Sequence, residues 1–245
     1  MDILYVLGKG SKWDNNELRY SLRSIEKFGR NVGNVYIVGQ DPGFLSDEAI
    51  MIKIEDRHKA KHKNILTNIR TALEHTTITN DFLLSSDDHF YVKETDFDNY
   101  PIYCKGDLPN RMTKADKGKG YKESLVDTRR ILERYGYTYH NFSQHGNTHM
   151  SREAIELAHD LIDDSYSTRR GVEPTCLLLN VLYKHKPFDF IKRKDIKIKD
   201  DINNVEDIKK IIKDREVFSI YDAAIERGVA EYLQELFPNK SKYEL

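Results

Sequence analysis

Residues 81–90 read DFLLSSDDHF. Phe82, Leu83 and Leu84 make a short apolar run, the mark of a strand buried on both faces. The run ends in two adjacent acids, Asp87 and Asp88. Neighbouring carboxylates repel each other, and burial disfavours their charged forms. Two of them at the tip of a core strand call for a chemical reason.

Upstream, residues 2–7 (DILYVL), 34–39 (NVYIVG) and 49–55 (AIMIKIE) have the same character and read as strands. Residues 14–29 (DNNELRYSLRSIEKFG) read as a helix. Leu18, Leu22, Ile25 and Phe28 recur at helical spacing, with Asp14 or Asn15 as cap. Residues 64–75 (NILTNIRTALEH) are a second amphipathic helix. Strands alternating with helices over the first 90 residues predict an α/β fold with a mostly parallel central sheet flanked by helices. Such sheets bind ligands beyond the carboxyl ends of their strands, which is where Asp87 and Asp88 fall.

Residues 101–145 have weak periodicity apart from a helix over 121–136. Further helices are predicted over 151–164, with Ser151 as cap and Ile155, Ala158 and Ile162 as the inward stripe, then over 174–185 and 223–238. No repeat or low-complexity linker divides the chain, so one unit of 245 residues is expected. Its first hundred residues would form one half of the site and residues 101–245 the other. Lys plus Arg (39) nearly balances Asp plus Glu (40), which gives no global pull toward nucleic acid or an acidic partner. Cys104 and Cys176 are 72 positions apart, with no paired spacing for zinc or a disulfide framework. The apolar start at residues 2–7 reads as a strand rather than a signal peptide, and no run is long enough to span a bilayer. A soluble protein of a reducing cytoplasm is expected.

Paired carboxylates at a strand end suit Mg²⁺ or Mn²⁺, which take oxygen ligands and bridge one or two carboxylates to phosphates. Asp87 and Asp88 are therefore the candidate metal ligands, toward the diphosphate of a nucleotide sugar. Arg19, Arg23 and Lys27 share one helix face and could hold phosphate oxygens or pair with Glu17 and Glu26. The segment 57–63 (RHKAKHK) is a basic loop able to hold an anion, or a solvated charged loop. His140, His145 and His149 precede the helix at 151 without the HExxH spacing of a zinc protease. A histidine there could be a general base. Arg169, Arg170 and Glu173 cluster between two helices.

Taken in order, DNNELRYSLRSIEKFGRNVGNVYIVG, SSDDHF, SQHGNTHMSREAIE and FSIYDAA…LFPNKSKYE resemble the Stealth family, which includes capsular polysaccharide phosphosugar transferases. The resemblance touches both ends of the chain, and the first and last blocks are its specific parts. It implies a Rossmann-like nucleotide-sugar fold of glycosyltransferase A (GT-A) type. It implies Asp87 and Asp88 as the acidic pair, His145 as the histidine before a helix, Arg169 or Arg170 as the later arginine, and Asp222 as a late aspartate. Arg19 and Arg23 match the first block. Lys63, Asn64 and Asn68 join them as expected donor-binding residues. Two positions depart from the family pattern. Leu66 stands where an acid is common, and Tyr221 replaces an asparagine.

The expectation is a transferase moving a sugar from a nucleotide-diphosphate donor to an acceptor hydroxyl on a glycan or small molecule. A modified base in phage DNA is a special case, for which basic runs at 57–63, 111–122 and 192–199 would line one face. Asp87 and Asp88 hold the metal or the donor, and His145, or else Glu173 or Asp222, takes the acceptor proton. Arg169 or Arg170 stabilises leaving-group charge. The alternatives are phosphosugar transfer, from which the missing acid at Leu66 turns the reading away, and a binding module without chemistry. A bacterial or phage-infected cytoplasm is the setting the resemblance implies.

Overall fold

The computed structural model describes residues 1–116, 118–199 and 202–245. The chain runs through β1 (Asp2–Leu7), α1 (Asn16–Phe28), β2 (Gly29–Arg30), β3 (Val35–Gly39), β4 (Ala49–Lys53), α2 (Lys61–His75) and β5 (Asp81–Ser85). It continues through β6 (His89–Tyr91), β7 (Thr95–Asp96), β8 (Tyr103–Cys104), α3 (Gly120–Arg134), β9 (Thr148–Ser151), α4 (Arg152–Leu157), α5 (His159–Ser167) and α6 (Pro174–His185). It closes with β10 (Ile191–Lys192), β11 (Lys197–Ile198), α7 (Val205–Ile212), β12 (Val217–Ile220) and α8 (Val229–Leu236).

The central sheet has five strands in the order β4-β3-β1-β5-β9. The first four are parallel, and β9 joins the β5 edge antiparallel. This is a mixed α/β architecture compatible with a Rossmann-like fold. Alternation along β1 divides the core. Leu4 points to one face, with Leu66 and Ile69 of α2 and residues of α3 to α6. Ile3, Tyr5 and Leu7 point to the other, with Leu18, Leu22 and Ile25 of α1. Two buried faces explain why the strands read as continuous apolar runs. Each fully buried Leu or Ile contributes about 2 kcal/mol. At the amino edge Asp2 accepts the Asn34 N–H (2.9 Å) and the Thr79 N–H (3.0 Å), tying β1 to both neighbouring connections.

A second sheet, in the order β11-β12-β6, packs its own core with α7 and α8. The chain passes from the first sheet to the second through the turn at 86–88, closed by the His89 N–H on the Ser86 carbonyl (3.3 Å). Helix α1 supports the far side of that turn. Ser21 donates to the His89 carbonyl (2.7 Å), and Ser24 accepts the Tyr91 N–H (3.0 Å).

Several expected elements end elsewhere. Helix α2 begins at Lys61, so Lys61, His62 and Lys63 of the basic segment are already helical. The expected 151–164 helix is two, parted at Ala158. The expected 223–238 helix is a 3-10 turn (Asp222–Arg227) and then α8, parted at Gly228, whose φ of 101° is the left-handed region that glycine adopts freely. At α1, Asn15 occupies the cap position but its side chain caps nothing. Ser11 Oγ accepts the Trp13 and Asn15 N–H groups and donates to Glu17 (2.8 Å). Among the described residues no helix is long and apolar enough to cross a membrane. Both cysteines are buried and free.

Candidate functional site

Asp87 and Asp88 sit in the turn between the two sheets, at the carboxyl end of β5. The second sheet supplies their surroundings. Asp88 Oδ2 lies 3.0 Å from Lys197 Nζ on β11, and its Oδ1 lies 3.8 Å from His89 Nε2. Lys197 also stands over the Tyr221 ring, 4.7 Å from its centroid. The His89 and His145 rings meet edge to face at 6.3 Å. His145 is fixed by Asp195, whose Oδ2 accepts the His145 backbone N–H (2.6 Å) and lies 3.9 Å from its Nε2. Lys105 reaches the same oxygen at 2.8 Å. Gly146 lets this segment approach closely, since a Cβ there would lie 2.8 Å from the Tyr100 hydroxyl oxygen.

The cluster separates its protonation states. Burial, and then the charge of Asp88, push Asp87 up to about 7, while Lys61 opposes the rise. Asp88 is held below the usual carboxylate range. Burial works against this, and the fields of His89 and Lys197 with the Lys197 hydrogen bond outweigh it. Burial takes His89 down to about 4. Burial and then Lys197 take His145 down to about 4, with Asp195 opposing. Both histidines are therefore neutral at pH 7, and Lys197 is the cation that keeps Asp88 ionised there. His89 Nδ1 accepts the Ser86 N–H (3.3 Å), which leaves its ring proton on Nε2, the nitrogen nearer Asp88.

Of the three histidines considered from sequence, the structure brings only His145 to the acidic pair. His149 bonds the Tyr100 carbonyl, and His140 lies 3.5 Å from Asp107 among aromatic rings.

Other expected site residues have different work. Arg19 and Arg23 face the carboxyl-terminal segment, not a diphosphate. Arg23 pairs with Glu244 (2.7 Å) and donates to the Phe237 carbonyl (3.0 Å), and Arg19 pairs with Glu244 at 3.2 Å. The basic stripe does share one helix face, and the chain's own end fills it. Glu173 is the amino-terminal cap of α6. Its Oε2 accepts the Cys176 N–H (2.7 Å) and the Thr175 hydroxyl (2.6 Å), which gives it a structural role at the start of α6. Asn64 clasps the His58 backbone through both side-chain atoms, Lys63 donates to the Tyr166 carbonyl, and Asn68 is buried in α2. Arg169 and Arg170 are exposed and pair with Glu123 at 3.3 and 3.6 Å, so neither is fixed on the acidic pair. Asp222 is an exposed partner of Lys12 at 3.6 Å.

Within the 192–199 run, Arg193 pairs with Glu216 and Lys197 with Asp88, so the run is not a free basic face. Lys117 of the 111–122 run lies outside the described residues. An open cleft along the β4 edge, lined by Lys53, Glu55, Arg57, Thr71 and His75, contains none of the clustered residues.

Asp195, Lys197 and Lys105 are the functional candidates that the sequence reading passed over. The signal was present in DIKI (195–198), where polar and apolar residues alternate strictly. Ile196 and Ile198 enter the core, so Asp195 and Lys197 share the opposite face.

The carboxylate pair does not present two free faces to a divalent cation. One oxygen of Asp88 is already paired with an ammonium, and an ion bridging Asp87 and Asp88 would share that carboxylate with Lys197. Among the described residues no three His, Cys, Asp or Glu side chains converge on a common point suited to a metal. No protein-family model matches this chain, and no curated protein matches it.

Proposed function

We propose that the chain is a glycosyltransferase of GT-A type that moves a sugar from a nucleotide-diphosphate donor to an acceptor hydroxyl at the Asp87–Asp88–His145 cluster. The observation that carries the reading is one arrangement. A neutral histidine, an ionised aspartate and a lysine converge at the carboxyl edge of a mostly parallel sheet. Such edges bind ligands, and groups with separated protonation states divide acid, base and electrostatic roles.

In this mechanism the acceptor oxygen attacks the anomeric carbon and its proton passes to the neutral His145 imidazole. Asp195, beside the ring, stabilises the imidazolium that forms. The bond from the anomeric carbon to the diphosphate breaks, and the electron pair leaves with the nucleoside diphosphate. Asp88 orients the donor sugar through its hydroxyls. Asp87, near its midpoint at neutral pH, can donate to or accept from the same sugar.

Leu66 favours glycosyl over phosphosugar transfer. It is 1% exposed within the apolar core, so the position that carries an acid in the Stealth pattern belongs here to packing.

The test is donor consumption. Purified protein is incubated with a panel of nucleotide sugars, and products are followed by mass spectrometry. Loss of one donor with release of its nucleoside diphosphate is expected. Release of the monophosphate would assign phosphosugar transfer instead, and an intact panel in the presence of glycan and DNA acceptors would contradict the proposal.

A further inference from the structure

We propose that Lys197 is the resident cation of this site, receiving the donor diphosphate in the position where a divalent metal would otherwise stand. The proposal rests on the glycosyltransferase reading and deepens it.

Three observations carry it. Lys197 Nζ is 3.0 Å from Asp88 Oδ2, and both side chains are about one-fifth exposed (22% and 20%), so this ion pair is largely withdrawn from solvent. Its position is built in at several points. Ile198 is in the core, the Ser219 N–H bonds the Ile196 carbonyl (3.1 Å), and the Tyr221 N–H bonds the Ile198 carbonyl (2.8 Å). Strand alternation then directs Lys197 to the acidic pair, over the half-exposed Tyr221 ring. Finally, of the other lysines near the pair, Lys105 is already engaged with Asp195 at 2.8 Å, and Lys61, exposed at the start of α2, acts on Asp87 rather than Asp88.

An ammonium has three donors, of which Asp88 takes one. The others are available to phosphate oxygens as charge develops on the leaving group. A divalent ion bridging Asp87 and Asp88 would meet Lys197 within a few ångströms and be repelled. Were it to displace the lysine, the ammonium would lose its carboxylate partner. Tyr221 belongs to the same device. The aromatic face beneath Lys197 attracts the cation and limits where the long side chain can go. Asparagine, which the Stealth pattern has at that position, offers no such face.

The test uses the full chain and three measurements. UDP, GDP, ADP and TDP are titrated calorimetrically, first with EDTA and then with Mg²⁺ or Mn²⁺. Mn²⁺ alone is titrated and its free fraction read by electron paramagnetic resonance. The titrations are repeated with Lys197→Met and Lys197→Arg, with circular dichroism as the check on folding. The expected result is binding of one diphosphate that EDTA changes by less than about 2-fold, weakened by about 10-fold or more in Lys197→Met and partly recovered in Lys197→Arg. Mn²⁺ should show no site that depends on Asp88. Diphosphate binding that requires metal, with a Mn²⁺ site lost in Asp88→Asn, would overturn the proposal and leave the glycosyltransferase reading intact. Unchanged affinity in a folded Lys197→Met would also overturn it. Failure of all four diphosphates under every condition would instead remove the reading on which the proposal rests, and the proposal with it.

Discussion

Arg23 and Glu244 lie 221 positions apart and form a two-pronged ion pair, Nε to Oε1 at 2.7 Å and Nη2 to Oε2 at 2.8 Å. The Glu244 side chain is fully buried, and Ser241 adds donors from its N–H and its hydroxyl. The two most specific blocks of the sequence resemblance, at opposite ends of the chain, therefore meet in space and hold each other. Their pairing is a structural clasp on the outer side of α1. Burial would raise the Glu244 carboxyl, but the hydrogen bonds from Arg23 and Ser241 outweigh it and hold the group down at about 2.

Glu244→Gln should therefore destabilise the protein by on the order of 3 kcal/mol at pH 7, because Arg23 is left without its charge partner. A carboxylate whose folded pKa is depressed contributes stability that is present above its unfolded value and lost as pH falls toward the folded one. The wild type should lose this contribution between about pH 4.5 and pH 2, and the variant should show a smaller loss there. Urea unfolding at pH 7, 4 and 3 measures both. Equal midpoints for the two proteins at pH 7 would refute the clasp.

Asp87 has the opposite sign. Its folded pKa is raised to about 7, so the folded state holds a proton that the unfolded chain releases near pH 4. Stability from this group is intact below pH 4 and declines as pH rises toward 7. Asp87→Asn should remove the decline and stabilise the protein at pH 8 by on the order of 2 kcal/mol, with little change at pH 4. Thermal melts across that range would show a gain confined to high pH. A loss of stability at pH 8 would mean that Asp87 has a favourable partner there.

Leu66 sits in the core between α2 and the sheet at 1% exposure. Introducing the acid of the Stealth pattern with Leu66→Glu should unfold or strongly destabilise the protein rather than create phosphosugar transfer, because the new carboxylate would be buried without a partner. A folded Leu66→Glu protein that releases nucleoside monophosphate would show that the position belongs to the site.

The histidines should separate by position. His145→Gln is expected to reduce transfer by about 10² to 10⁴-fold with little change in melting temperature, as for loss of a general base. His140→Gln and Asp222→Asn should leave turnover within a few-fold of wild type, since His140 packs among aromatic rings and Asp222 is an exposed partner of Lys12. Steady-state rates with the consumed donor decide the matter, and a larger loss in Asp222→Asn than in His145→Gln would reverse the assignment.

The first half of the fold was legible because β1, β3 and β5 are buried on both faces and its helices carry an apolar stripe. The runs at Asp2–Leu7, Val35–Gly39, Ala49–Lys53 and Asp81–Ser85 are all strands, and Pro174–His185 is a helix over the expected residues. The second half was less legible because short elements such as Lys197–Ile198 and Val217–Ile220 gain their stability from pairing across long stretches of sequence. The site divided in the same way. Asp87, Asp88 and His145 announce themselves by residue type and place. Asp195 and Lys197 were hidden in a basic run, where only the alternation with the inward Ile196 and Ile198 sets them on one side. Arg19 and Arg23 are ambiguous in sequence because a basic helix face has the same pattern whether it binds phosphate or a buried glutamate more than 220 residues away.

Amide hydrogen exchange of the whole chain, with and without whichever of UDP, GDP, ADP or TDP binds in the titrations, tests the proposed site most directly. Protection should concentrate at the 86–89 turn, the 144–147 segment and β11, the three pieces that meet around Asp88. Protection along α1 near Arg19 and Arg23, or only in the cleft beside β4, with these three segments unchanged, would contradict it.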